Sequence, residues 1–374
     1  MIEVSEEQVR DFRGRRGQLT GDGAPDPAAA THAVVGIQAQ VEGSTWWAVS
    51  MRTAARPTAR ALKQAWQVDR TLVRTWAQRD TLHLFGPHDW PWFAAANRLW
   101  SQTGRGPVRA PDDVLDQARK RLREAPRTRT DLLDLVTPTM RAEMAERVGE
   151  DQADRHAAGR IPWQLAHLGE ICLGPKRGAE QSYAHRDHWR PDLAEAFGID
   201  PTHAAVALTR RYLGVHGPAT AKDVAHFFGA RAPLARDWVG ALADETTLVR
   251  CGERELVVLR DDLPDLRREP SDPPARLLAA YDTVLMAHAD KSWTTPVEAE
   301  RKAVWKRSAV VVATVLHAGR VVGVWRHQAR KSGVTVTVQP LSGFTEGARP
   351  GIEADAERLA AHLEVEGFTV VIDG

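Results

Sequence analysis

The sequence predicts a mixed α+β protein built from three tandem winged-helix (helix-turn-helix) units and a small C-terminal β-barrel. Three observations point to this. One order of helix, break, second helix and strand-turn-strand recurs three times. Segments rich in β-branched residues crowd the chain after Pro273 and Pro274. The length of 374 residues, at roughly 100 to 200 residues per domain, implies more than one core.

The first copy, in segment 1–105, runs through Arg60 to Trp66, then Arg70 to Gln78 as its second helix, then a strand at Thr81 to Phe85. The second, in 106–198, uses Asp131 to Val136, Ile161 to Leu168 and a hairpin from Ile171 whose turn is the basic Gly174 to Gly178 stretch. The third, in 199–270, is the clearest. Ala204 to Leu213 reads as a helix, Gly217 to Thr220 supplies a Pro break and an N-cap, and Ala221 to Gly229 is a short helix closed by Gly. Pro233 to Ala243 is its recognition-helix candidate, and Thr246 to Leu259 alternates apolar and polar residues around Gly252 as a wing hairpin should. Segment 271–374 carries strands at Val310 to Leu316, Val321 to Val324 and Val334 to Gln339, the first two joined by the turn His317 to Arg320. A helix at Ile352 to Glu364 and a strand at Phe368 to Ile372 finish the chain, and a barrel is the natural closure for such a set.

Apolar residues make up 43% and charged residues 26%, a balance that excludes disorder, collagen and disulfide scaffolds. Cys172 and Cys251 allow at most one disulfide and no thiolate zinc site, so a reduced cytoplasm is expected. The acidic start MIEVSEEQVR lacks a signal h-region, and the longest apolar run, Ala309 to Leu316, is far short of the ~20 residues of a membrane span. Neither secretion nor membrane insertion is expected.

The net charge of +1 hides a strong polarisation. Arg52 to Arg79 holds seven basic residues against Asp69 alone, and Arg301 to Lys331 holds eight with no acid. Acids gather in Asp112 to Asp154 and Glu346 to Asp373. Helix-turn-helix order with such basic stretches is the footprint of phosphate-backbone binding, whereas solvated Arg faces are the alternative for any single residue. The DNA-contact candidates are Arg52, Arg74 and Arg79 in the first stretch and Lys302, Lys306, Arg307 and Arg326 in the second. Trp305, set between cations in RKAVWKR, suits either a wedge into a groove or packing beneath a hairpin. His185 and His188 lack a third ligand, so solvated or capping roles outweigh a metal, and no cofactor fingerprint is present.

The stretch His32 to Arg52 (HAVVGIQAQVEGSTWWAVSMR), followed by Thr71 to Phe85, Gly217 to Thr220, Tyr281 to Lys291 and Gly319 to Arg326, resembles the AlkZ/YcaQ family of bacterial DNA glycosylases across nearly the whole chain. Gln38-Ala39-Gln40 is similar to the Gln-aliphatic-Gln motif of the AlkZ branch; the YcaQ branch has Gln-x-Asp. The resemblance implies three winged helices and a barrel in a C shape that embraces duplex DNA. It implies removal of N7-alkylguanine, including unhooking of azinomycin-type interstrand crosslinks, in repair or antibiotic self-resistance. Gln38 and Gln40 would hold the water and stabilise the sugar cation. Asp80 departs from the family pattern, where Gly is expected.

The chemistry suits amides. N7-alkylguanine is already cationic in DNA and leaves as a neutral base, so no strong general acid is required, and carboxamide oxygens can accept from a water and face an oxocarbenium-like sugar. By spacing alone Gln-x-Gln is a weak signal, read more readily as two solvated side chains on an Ala-rich helix. Residues i and i+2 of a helix point about 200° apart, so the motif is expected at a helix end or irregular turn loosened by Gly36 and Gly43. Glu42 and Asp80 rank below the glutamines as carboxylates near a lesion, and no Lys near the motif offers Schiff-base chemistry. The expectation is a monofunctional, monomeric, cytoplasmic and nucleoid-associated DNA glycosylase acting on double-stranded DNA without metal or cofactor. A non-enzymatic winged-helix regulator is the alternative.

Overall fold

The computed structural model describes residues 2–100, 108–307 and 309–373. Its chain groups into two compact units, one formed by residues up to Lys63 together with Thr209 onward, the other by Gln64–Leu208.

In the first unit, Ser5 and Gln8 build a capping box that starts the helix Glu6–Arg16, with acids in its first turn and arginines in its last. Its apolar face, Val9 and Phe12, is buried with Val249, Leu256, Val258 and Trp293. The strand Ile2–Glu3 joins the third hairpin in parallel, Ile2 opposite Val249. That third repeat matches its sequence pattern closely. Helices Pro201–His216, Ala221–Phe228 and Ala232–Gly240 precede a hairpin in which Thr246–Cys251 pairs with Arg254–Leu259. Thr220 and Asp223 cap the middle helix reciprocally, and Gly229 closes it in the left-handed region that Gly adopts at little cost.

The C-terminal strands form a five-stranded sheet in the order Arg276–Leu278, Thr314–His317, Arg320–Arg330, Gly333–Pro340, Phe368–Ile372. All neighbours are antiparallel except the last pair. This corrects the expected barrel, because the first and last strands are edges and the sheet stays open. The reason lies in the last connection. The helix Arg349–Leu363 crosses over so that Phe368–Ile372 arrives parallel to its neighbour at the edge.

In the second unit, Val73–Trp76 pairs with Leu82–Phe85, Val73 opposite Phe85 and Trp76 opposite Leu82. Arg70 to Gln78 is therefore not the expected second helix. Arg70 takes a left-handed backbone that breaks helical continuation, and Val73 and Thr75 favour a pleated ladder. The unit also holds the helices Trp90–Trp100, Asp112–Glu124, Pro138–Val148 and Glu150–His167 and a second hairpin, Ile171–Arg177 with Glu180–His185, to which Arg127–Thr128 adds a third strand. Asp131 to Val136, expected as a full helix, is a 3-10 stretch over Thr130–Leu135.

Candidate functional site

The Gln-Ala-Gln segment sits in the connection between two helices, as its spacing requires. Asp26 caps Pro27–Ala33, accepting from the Ala29 N–H at 2.8 Å. The helix ends in a Schellman turn, with Val35 N–H donating to His32 O at 3.1 Å and Gly36 N–H to Thr31 O at 2.9 Å. Gly36, at φ +87°, supplies the expected freedom, but so does Val35 at φ +60°, where a β-branched residue costs roughly 1–2 kcal/mol. Strain is thus held immediately before the motif. Ile37–Gln38 is extended, and Gln40 lies in the bend before the helix Glu42–Ser50. Gly43 is an ordinary residue of that helix, so the loosening expected there is absent.

Gln38 is buried and Gln40 exposed. Buried Thr45 ties both ends of the segment to the following helix. Its hydroxyl can donate to Val41 O, at 2.9 Å, and to Gln38 O, at 3.4 Å, while its N–H donates to Val41 O at 3.0 Å. The same helix is anchored further on. Trp47 Nε1 donates to Leu277 O at 2.6 Å, and Arg52 makes a bidentate pair with Asp282 at 2.8 and 2.9 Å, both side chains fully buried. Arg52 also donates to Gly17 O and Ala48 O.

Arg52 therefore does not fit its expected place on a DNA-facing surface, because Asp282 and two carbonyls hold its guanidinium inside the fold. Arg74 is likewise buried, its guanidinium carbon 5.4 Å from the Trp66 ring centre. Arg79 is half-buried, and burial pushes its pKa down to about 10. Its Nη2 lies 3.4 Å from His83 Nε2, and burial first, then Arg79, pushes His83 down to about 3.

Arg79 and Asp80 both have positive φ in the turn closed by Thr81 N–H on Gln78 O, the mirror-image turn that suits a twisted hairpin. The glycine expected at position 80 would fit this backbone freely, and Asp is among the few residues that tolerate it. Asp80 Oδ1 faces His167 Nε2 at 3.0 Å, while His167 Nδ1 faces Trp163 O at 2.7 Å.

In the second basic stretch Lys302, Lys306, Arg307 and Arg326 are exposed. Arg326 lies 3.9 Å from Asp373. Trp305 is half-buried with Lys291 Nζ 5.3 Å above its ring, which favours packing over a free wedge. His185 accepts from Asp187 N–H at 3.1 Å and caps the short helix Arg186–Trp189, so it acts as a cap and not as a ligand. Among the described residues no cluster of three or more His, Cys, Asp and Glu is arranged to hold a metal, and no helix is long and apolar enough to cross a membrane. Sequence reasoning missed Thr45, whose partners lie four and seven residues back along the chain, and Asp282, whose partner is set by tertiary packing. The only local signal was the position of Thr45 in the first turn after the motif.

Residues 31–362, which include both glutamines, match the family model described as DNA glycosylase AlkZ-like. A curated relative, the interstrand DNA cross-link repair glycosylase of Streptomyces sahachiroi, is 27% identical over 380 residues, covering 97% of this chain and 96% of its own. The solved structure of Streptomyces sahachiroi DNA glycosylase AlkZ is 25% identical, covers both chains completely and superposes with a TM-score of 0.81.

Proposed function

Because the chain belongs to the AlkZ-like DNA glycosylase family, we propose that it hydrolyses the N-glycosidic bond of cationic N7-alkylguanine in duplex DNA, including guanines joined in interstrand crosslinks. The observation that carries this reading is the Gln38-Ala39-Gln40 segment, held in a strained, non-helical connection by Thr45 and by the Val35–Gly36 turn. A helix would have sent the two amides apart; this connection removes that restriction.

Alkylation at N7 already places positive charge on the leaving base, so the C1′–N9 bond breaks without protonation of guanine. The amide oxygens of Gln38 and Gln40 orient a water toward C1′ and place partial negative charge against the sugar cation. The water's proton passes to solvent as the new C1′–O bond forms, since an amide is not a base at neutral pH. The reaction is therefore hydrolysis and not lyase chemistry. Anchoring Glu42–Ser50 through Trp47 and Arg52 fixes the segment from behind. The three helix-and-hairpin repeats act as winged helices on DNA, and Lys302, Lys306, Arg307 and Arg326 contact phosphates.

The curated relative's name concerns interstrand cross-link repair, and a bulky crosslink favours a lesion read without deep extrusion. The test is a duplex with one N7-methylguanine, assayed for free base and alkali-labile abasic sites, beside a duplex carrying an N7–N7 crosslink. Release of both substrates is expected. Tight duplex binding with no release from either would make the protein a non-enzymatic DNA binder.

A further inference from the structure

A cavity of about 190 Å³ opens in the first unit at the ends of the two flanking helices remote from the glutamines. It lies between the Gly21–Gly23 loop, which leads into Pro27–Ala33, and the segment that follows Glu42–Ser50. Three arginines are among its lining residues, Arg56, Arg276 and Arg358.

Their charges are not balanced. Asp355 is fully buried and already saturated. Its Oδ2 accepts from Arg276 Nε at 3.0 Å and from Leu277 N–H at 2.9 Å, and its Oδ1 accepts from Arg358 Nη1 at 2.8 Å. Arg276 also donates to the carbonyls of Leu19 and Met51. Among the described residues Arg56 has no carboxylate within ion-pair distance, and burial followed by repulsion from Arg358 and Arg276 lowers its pKa. Asp22, which is exposed, is the one acid among the lining residues, and Asp355 lies behind them. Counting Asp355 and Asp22 against the three arginines still leaves one positive charge facing the cavity.

Arg56 is also held in place. Its backbone sits at φ +46°, a left-handed conformation that costs a non-glycine residue roughly 1–2 kcal/mol. Its N–H donates to Thr53 O at 2.9 Å, while the next carbonyl, Pro57 O, accepts from Ser50 Oγ at 2.8 Å and faces His362 Nδ1 at 3.0 Å. Backbone strain sustained by its surroundings at a charged side chain on a cavity wall is the mark of a pre-organised site.

We propose that this cavity binds a phosphate group, received by Arg56 and Arg358 against the Gly21–Gly23 loop. Guanidinium forks match phosphate oxygens in bidentate geometry, and a tetrahedral phosphate can accept from two forks at once where a planar carboxylate satisfies one. The phosphate belongs either to a DNA backbone or to a free phosphate ester. The proposal does not depend on glycosylase activity, because its readouts are binding and stability.

The full-length protein is melted in inorganic phosphate and in chloride at matched ionic strength. Wild type gains several degrees in phosphate; Arg56→Gln alone, and with Arg358→Gln, loses most of that gain. Arg56→Gln is the safer variant, since Arg56 is exposed and Asp355 keeps both partners. Asp22→Asn increases the gain by removing the repelling carboxylate. A lesion-free duplex separates the sources. A backbone phosphate predicts several-fold weaker binding by the variants and a salt slope shallower by about 0.9 for each phosphate no longer neutralised. A free ester predicts unchanged duplex binding with the phosphate gain still dependent on Arg56. Equal phosphate gains in wild type and variants, with equal duplex binding, overturn the site.

Discussion

At the residue scale, the proposed catalysis rests on two amides that cannot titrate. Gln38→Ala and Gln40→Ala should each slow release of N7-methylguanine by about 10- to 1,000-fold, the range for losing one preorganised polar group at a developing charge. Single-turnover kinetics measures this, with duplex affinity unchanged. The proposed lesion is cationic before it binds, and neither amide changes charge, so the single-turnover rate should be flat from about pH 6 to 9. A bell-shaped profile would point to a carboxylate or histidine acting as base. Stability behaves differently from rate. Burial pushes His83 and His216 down to about 3, so both are neutral when folded. Unfolded, each has a pKa near 6.5. Their contribution is present above about pH 6.5 and is lost as the pH falls from there toward 3. Each accounts for about 2 kcal/mol of lost stability by pH 5. Thermal melts should show Tm falling over that window, and His216→Gln should flatten the fall.

At the element scale, the helix after the motif transmits its position through Thr45 and its rigidity through Arg52. Asp282→Ala would leave the Arg52 guanidinium buried without its counter-charge, a loss of roughly 3–5 kcal/mol measurable by denaturant melts. Thr45→Val keeps the shape and removes the hydroxyl. It should lower the rate of base release with little change in KM, and Thr45→Ser should restore it. These two side chains show why part of the site was hidden in the sequence. The Gln-Ala-Gln motif was visible through resemblance, and its non-helical setting followed from the geometry of spacing. The burial of Arg52 depends on an acid 230 positions away, which no local pattern announces. The third repeat, in contrast, was legible in order, and its middle helix and hairpin almost to the residue, because Thr220, Gly229 and Gly252 mark their boundaries through local backbone chemistry. The first repeat was misread where an arginine-rich stretch could satisfy either helix or strand, and pairing with Leu82–Phe85 decided for strand.

At the scale of the whole molecule, charge placement says more than net charge. The structure thins the expected set of DNA-facing cations, since Arg52 and Arg74 are internal, and leaves Lys302, Lys306, Arg307 and Arg326 on the surface. Replacing Lys306 and Arg307 with Gln should weaken lesion-free duplex binding and make the salt slope shallower by up to about 0.9 for each cation that had neutralised a phosphate. The expected barrel failed for a reason beyond the reach of sequence. Four of the five strands were anticipated and Arg276–Leu278 was not, but a crossover helix and a parallel last strand leave the sheet open, and topology of that kind is set by packing.

The central claim is that the glutamines perform hydrolysis and not merely recognition. One measurement addresses it most directly: single-turnover release of N7-methylguanine from a duplex by wild type and by Gln38→Ala with Gln40→Ala, with duplex affinity determined in parallel. Wild type should release the base, the double variant should be slower by at least about 100-fold, and the two affinities should agree within about twofold. Equal rates in the two proteins, or no release by either, would contradict the claim.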